Sequence, residues 1–329
     1  MVSYATISSA VIAVPPNSTV LVCPGTYPEQ VTITQPLTLE GLTGRAGAKA
    51  VITVPSGGLE GNYPAQLLVQ ATDAFTEFGP VDISNVIVDG AGSGFNCLNG
   101  DFTGIEYMYA SGTLSQVEVR NQKPGGCGFG IVVYGSPWVV DTVNIQKSNI
   151  HNFDDTGIVA SSSGATGFLV NITYNSIAST SASVLAGVDY EFTDGLAAHN
   201  NIVLAGGIGL HLNNFYGGMT ANKNAILGAN IGILSNTSEG SPTIITYNNL
   251  FNNGIGIFIG ALNGSNVVNS NAIFNSSTAA IQLDCSSQTT SAKQNTIYGA
   301  PVGIANVNSG DTITQNVFHS VSTTTTWCP

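Results

Sequence analysis

From residue 156 onward, short apolar segments with a two-residue alternation recur around Gly157-Ile158, Gly187-Val188, Gly207-Ile208, Ile231-Gly232-Ile233, Ile255-Gly256-Ile257 and Val302-Gly303-Ile304. Such alternation predicts strands with one buried face. A further strand is expected in each repeat, as in Ile172-Thr173-Tyr174, Ile245-Thr246-Tyr247 and Ile313-Thr314-Gln315. Each of these runs into an asparagine: Asn175, Asn200, Asn224, Asn248, Asn271, Asn295 and Asn316 follow at intervals of 25, 24, 24, 23, 24 and 21 residues. Two positions after each asparagine comes Ile177, Ile202, Ile226, Leu250, Ile273, Ile297 or Phe318. A period of this length reads as a solenoid with three strands per coil, which is a parallel β-helix. An amide repeated at one corner can hydrogen-bond to its equivalents above and below, satisfying polar groups that burial would penalise. Long Ala, Leu, Glu and Lys runs of the kind helical repeats need are missing.

The period predicts one elongated domain over residues 1–329, with roughly ten to twelve coils. Residues 1–16 read as an amino-terminal cap, Tyr4 to Val14 being a short amphipathic helix. The stretches 56–66 and 90–112, rich in Gly, Asn and aromatic residues, interrupt the period and are expected to leave the helix as loops. Their Tyr63, Phe95, Tyr107 and Tyr109 are candidate walls of a cleft. Residues 318–329 form a carboxy-terminal tail.

Charge narrows the choice of partner. Only 8% of residues are charged, and 19 acidic against 7 basic residues leave a net charge of −12. Nucleic acid and anionic membrane surfaces are excluded as natural partners on this balance. No apolar run reaches the roughly 18 residues of a membrane span. Cysteine usage points to an oxidising compartment, hence a secreted or cell-surface, extracellular or periplasmic protein. Cys97 with Cys127 and Cys285 with Cys328 are the expected disulfides, although spacing alone leaves other connectivities open, and Cys23 is left over.

Alternation on the apolar strand after the asparagine corner is expected to bury Ile131 and Val133, Ile158 and Ala160, Val188 and Tyr190, Ile208 and Leu210, Ile231 and Ile233, and Ile255 and Ile257. Outward columns follow: Val132, Val159, Asp189, Gly209, Gly232 and Gly256 in one, and Tyr134, Ser161, Glu191, His211, Leu234 and Phe258 beside it. Asp189, Glu191 and His211 then share a patch, with Asp154 and Asp155 entering from the turn before Gly157. Paired carboxylates can divide the roles of general acid and general base, with His211 positioning or shuttling a proton and Tyr134 and Phe258 stacking on sugar rings. The same carboxylates with carbonyls could instead hold Ca²⁺; otherwise no cofactor is expected. A second candidate surface lies just before the asparagine corner, where Lys147, Tyr174, His199, Lys223 and Tyr247 occupy equivalent positions and could bind a polysaccharide or oligosaccharide.

The coils and their asparagine corner resemble the right-handed parallel β-helix proteins of the pectin-lyase-like superfamily, and so does the opening from Asn17 to Ile33 with its Gly25-Thr26-Tyr27. The resemblance covers nearly the whole chain. It implies an active site on the outward face of the strand that carries Asp189, and polygalacturonase-like hydrolases place carboxylates and then a histidine on successive coils, an order echoed by Asp154-Asp155, Asp189 with Glu191, and His211. The Asn-Thr-Asp, Gly-His-Gly and Arg-Ile-Lys motifs of those hydrolases, the Arg-x-Pro-x-x-Arg of pectate lyases and the Tyr-Gly-Phe-Asp-Pro-His of mannuronate epimerases are all absent. The expectation is acid/base glycoside hydrolysis of an extracellular polysaccharide, with a Ca²⁺-assisted lyase and a non-catalytic surface β-helix as alternatives.

Overall fold

A computed structural model describes residues 2–329 apart from 62–63, 77, 163–167, 214–217, 237–241, 261–264 and 286–288, with Asn99 described by its backbone only. The chain winds as a right-handed parallel β-helix. Its strands form three parallel sheets of 12. The first sheet runs from Ser18–Val22 to Thr312–Thr314, the second from Gly25–Pro28 to Val317–His319, and the third from Val31–Ile33 to Thr323–Trp327. Apart from a register shift between Val302–Val307 and Thr323–Trp327, each strand pairs in register with its equivalent one coil away, so one inward column of the first sheet reads Leu39, Ile83, Leu114, Ile145, Ile172 and Ala197, all fully buried. Stacked branched side chains on parallel strands fill the interior without a second layer.

The asparagine corner is a continuous ladder. Nδ2 of Asn175, Asn200, Asn224, Asn248, Asn271 and Asn295 each donates to Oδ1 of the next asparagine at 2.9–3.1 Å, ending on Asn316. The same Oδ1 atoms also accept the backbone N–H of the preceding asparagine. The residue before each asparagine turns the chain in the left-handed region, with φ of 60° at Tyr174, 58° at His199 and 55° at Lys223.

The expected short helix spans Ile7–Ala13, and Ile7, Ala10 and Val11 pack into the first coil. The Glu29 carboxylate accepts the N–H groups of Ile7 and Ser8 at 2.9 and 2.8 Å, supplying donors at the helix start with an anionic partner. Both expected disulfides are present, with Cα atoms 5.6 Å apart in each, and Cys23 is free and exposed. Among the described residues, no helix is long and apolar enough to cross a membrane.

Three sequence expectations need correction. The tail expected over 318–329 completes the last coil, with Val317–His319 in the second sheet and Thr323–Trp327 in the third. The loop expected over 90–112 leaves the stack only as far as residue 101; Phe102–Met108 returns as a third-sheet strand and Gly112–Ser115 as a first-sheet strand. Tyr107 therefore points inward, fully buried, and donates its hydroxyl to the Val81 carbonyl at 2.7 Å instead of walling a cleft. Tyr63 lies outside the described residues.

Candidate active site

A column of glycines sets the geometry of the third sheet. Gly130, Gly157, Gly187, Gly209 and Gly232 stack where the chain bends into that sheet, and a Cβ on any of them would lie 2.4–2.8 Å from the carbonyl oxygen of the next glycine in the column. No side chain fits there. Counting from these glycines, the next residue points inward and the second points out. The outward column is thus Glu106, Val132, Val159, Asp189, His211, Leu234 and Phe258, and the column beside it holds Met108, Tyr134, Ser161 and Glu191.

This register corrects the sequence reading by two residues from His211 onward. Leu210 and Leu212, not Ile208 and Leu210, are the inward pair of their strand; Ile233 with Ser235 and Ile257 with Ile259 follow suit. Gly209, Gly232 and Gly256 belong to the tight bend and do not extend the Asp189 column. Gly207-Ile208 and Gly209-Leu210 are equally good copies of Gly187-Val188, and only the packing of the glycine column decides between them. His211, Leu234 and Phe258 consequently stand in line with Asp189 rather than with Glu191. The site strand is also not the one directly after the asparagine: the short second-sheet strand, such as Ser176–Ser179, intervenes.

The correction brings His211 against Asp189. His211 Nδ1 lies 2.8 Å from Asp189 Oδ1, an ion-pair distance without hydrogen-bond alignment. Nε2 of His211 is 3.3 Å from Asn236 Nδ2, so the two ring nitrogens face an amide and a carboxylate. Glu191, on the same face two residues after Asp189, touches the Ser161 hydroxyl at 3.4 Å. Burial first, and then the Asp189 charge, push the Glu191 carboxyl above its ordinary range.

A cleft of about 630 Å³ lies over this face, lined among others by Asp101, Glu106, Tyr134, Asp155, Asp189 and Glu191. Asp155 is 9% exposed; desolvation raises its pKa to about 6 despite a hydrogen bond from the Thr156 hydroxyl at 2.9 Å. Asp154 does not join the cleft: its carboxylate accepts the backbone N–H groups of Gly125, Gly126 and Gly128 at 2.6–2.8 Å and clamps the turn that begins the Gly128–Gly135 strand. Tyr134 and Phe258 both lie on the third sheet, Phe258 three strands beyond Asp189, or about 14 Å at ordinary strand spacing.

Glu106 is the residue that sequence reasoning missed. It is 4% exposed, its Oε1 has no hydrogen-bond partner among the described residues, and burial raises its pKa to about 7. The signal was available, since Glu106 stands two residues after Gly104 just as Asp189 stands two after Gly187, but assigning 90–112 to a loop hid it. Of the expected cleft walls, Tyr109 does line the cleft, whereas Phe95 stacks on Phe102, with ring centroids 5.6 Å apart.

Lys147, Tyr174 and His199 are exposed at the corner between the first and second sheets, away from the third-sheet face. They do share one column, as expected. Tyr174 and His199 stack face to face at 4.5 Å and 7°. Among the described residues, no group of three or more His, Cys, Asp or Glu side chains is arranged to hold a metal ion.

No protein-family model matches the chain, and the comparison with curated proteins finds no match. Solved structures do match it. The A-module of mannuronan C-5 epimerase AlgE6 from Azotobacter vinelandii superposes with a TM-score of 0.66 and 16% identity, over 98% of this chain and 90% of that one. DFA-IIIase from Arthrobacter chlorophenolicus A6 gives a TM-score of 0.56 at 12% identity over 91% and 88%. The Streptococcus pneumoniae surface adhesin PfbA gives 0.51 at 15% over 88% and 85%. At these identities the likeness is one of fold, and it bears out the parallel β-helix read from the repeats.

Proposed function

We propose that this is a secreted glycosidase that cleaves a polysaccharide by acid/base hydrolysis in the third-sheet cleft. One observation carries the reading: Asp189 and Glu191 share a face but not an environment. Asp189 Oδ1 lies 2.8 Å from His211 Nδ1, while Glu191 is desolvated and its carboxyl is pushed above its ordinary range. Glu191 would protonate the glycosidic oxygen as the C–O bond breaks. Asp189, oriented by His211, would take a proton from the water whose oxygen bonds to the anomeric carbon. Same-face residues two apart on a strand are roughly 7 Å apart, a spacing that leaves room for that water. Asp155 is a further acid at the same cleft.

Elimination fits less well. A uronate lyase needs cationic groups to neutralise the substrate carboxylate, and no Lys or Arg lines this cleft among the described residues. The neighbours named as an epimerase and DFA-IIIase agree with a carbohydrate substrate, and the two disulfides agree with secretion.

The test is a panel of neutral and acidic polysaccharides, with reducing ends and the ultraviolet absorbance of unsaturated products read together. Reducing ends without absorbance are expected, falling at least about 100-fold in Glu191→Gln. Activity should also decline as pH rises through the raised Glu191 pKa, because the acid must carry its proton. Absorbance would convert the reading to a lyase. Silence in both channels would leave a non-catalytic surface β-helix.

A further inference from the structure

An aromatic pair stands outside the carboxylate cleft and takes no part in the chemistry proposed there. Phe75 and Trp138 are 72% and 69% exposed, and their rings lie 5.9 Å apart at 26°. Phe75 follows the third-sheet strand Ala65–Gln70, and Trp138 follows Gly128–Gly135. The two loops meet across the intervening strand Phe102–Met108, at the carboxyl-terminal edge of the face that bears the cleft.

The pair is held in place. Ser136, 1% exposed, donates its hydroxyl to the Ala74 carbonyl and accepts the N–H groups of Trp138 and Val139 at 3.0 and 3.2 Å. Asp73 Oδ1 accepts the N–H groups of Phe75 and Thr76 at 2.8 and 2.9 Å. Each ring therefore stands on a turn fixed by a side chain, and the Ser136–Ala74 bond ties the turns together. Exposed rings presented this way offer contact area at a small ordering cost, which is how aromatic side chains contribute to ligand binding.

We infer that Phe75 and Trp138 form a distal glycan subsite that packs against the C–H face of an uncharged sugar ring. The inference deepens the proposed function and rests on it only for the bond that is cut. From Phe102–Met108 to the strand of Asp189 and Glu191 is three strand spacings, about 14 Å, so a ligand reaching both places is a chain of several sugars lying along the helix axis. Charge selects the sugar. Five carboxyl groups and, among the described residues, no cation line the cleft that this chain must cross, so nothing there neutralises a polyuronate, whereas a neutral glycan needs no such partner.

The experiment is affinity electrophoresis in gels containing β-glucan, galactomannan or inulin, with polygalacturonate as the charged control. Tryptophan fluorescence is followed in a Trp327→Phe background, which leaves Trp138 as the sole reporter. Expected are retardation and a fluorescence change with a neutral polymer, and about ten-fold weaker binding in Trp138→Ala and in Phe75→Ala at unchanged Tm. Cleavage of long chains should fall with binding, while short oligosaccharides are cut as before. Equal retardation of wild type and both variants overturns the subsite, as does preference for polygalacturonate or indifference to every neutral polymer. Retardation lost in Trp138→Ala without any product in wild type refutes the hydrolase and leaves the subsite standing; product with retardation unchanged in the variants does the reverse.

Discussion

The coils before residue 195 and those after it are built on one plan but stabilised differently. Sixteen of the 19 acidic and five of the seven basic residues lie in the first region, leaving three acids and two lysines in the second. At the asparagine position the early coils carry Val86, Val117 and Ser148, and the amide ladder starts only at Asn175. Individual devices act there instead. Cys97–Cys127 ties a loop to the strand beside it, Asp154 clamps a glycine turn, and Arg120 bridges Asp89 and Glu118 at 2.8 and 2.7 Å. The early coils also carry the long loops, the buried acids and the exposed aromatic pair. Where the stack is regular, one repeated bond network runs from coil to coil, with Cys285–Cys328 added near the end; where it carries insertions, each departure from the period has its own support.

The largest effect that sharpens this contrast is expected in the later coils. Asn248 donates to the Ala221 carbonyl at 3.0 Å and to Asn271 Oδ1 at 2.9 Å, and its own Oδ1 accepts both the N–H and the Nδ2 of Asn224 at 3.0 Å. Asn248→Leu strands these buried groups and should cost about 3–5 kcal/mol, lowering Tm by several degrees in a scanning calorimeter. Cleavage and glycan binding by the folded fraction should not change. An unaltered Tm would mean that the ladder is not what holds these coils.

The next effect is smaller and belongs to the early coils. Glu106 is buried with an unpaired oxygen, and its pKa stands at about 7 against an ordinary 4.5. For a carboxyl raised on folding, the contribution to stability is complete below the unfolded value and is lost as pH climbs through the folded one. Glu106→Gln removes that loss. The variant should match wild type at pH values below about 4.5 and exceed it above about 7 by on the order of 1–3 kcal/mol, read as a difference in Tm that opens with pH. A difference independent of pH would show that the side chain is not the desolvated acid described here. If activity also falls steeply, Glu106 takes part in the chemistry and the acid set of the cleft is wider than Asp155, Asp189 and Glu191.

Legibility followed the same division. The later coils announce themselves because identical neighbours demand identical residues: each asparagine needs an amide above and below, and the isoleucine two positions on needs an apolar partner. Asp189, Glu191 and Asp155 were also visible, being acids on or beside an alternating strand. What the chain does not display is phase. Two glycines two residues apart at Gly207 and Gly209 give equivalent alternations, and only the carbonyl-to-glycine packing of the bend chooses Gly209, which moves His211 from Glu191 to Asp189. Loop composition misled in the other direction, because the Gly- and aromatic-rich stretch before Phe102 runs without a break into a buried strand.

The smallest effect concerns the corner that both regions share. Tyr174 and His199 are exposed rings at left-handed turns, and the sequence made them candidates for sugar stacking. In the structure the two rings stack at 4.5 Å, as Phe75 and Trp138 do at 5.9 Å, but they stand on a corner remote from the third-sheet cleft. Tyr174→Ala should therefore cost no more than about 1 kcal/mol and leave retardation in polysaccharide gels unaltered. Trp138→Ala, which removes a ring of similar exposure from a loop beside the cleft, should differ from it in retardation but not in Tm. Equal loss of retardation in both variants would place the glycan path along the corner column of Lys147, Tyr174 and His199, where the rings lie against a turn common to all coils. A loss confined to Trp138→Ala would show that binding follows the irregular early coils, and that an exposed ring contributes to it only where a loop holds it beside the groove.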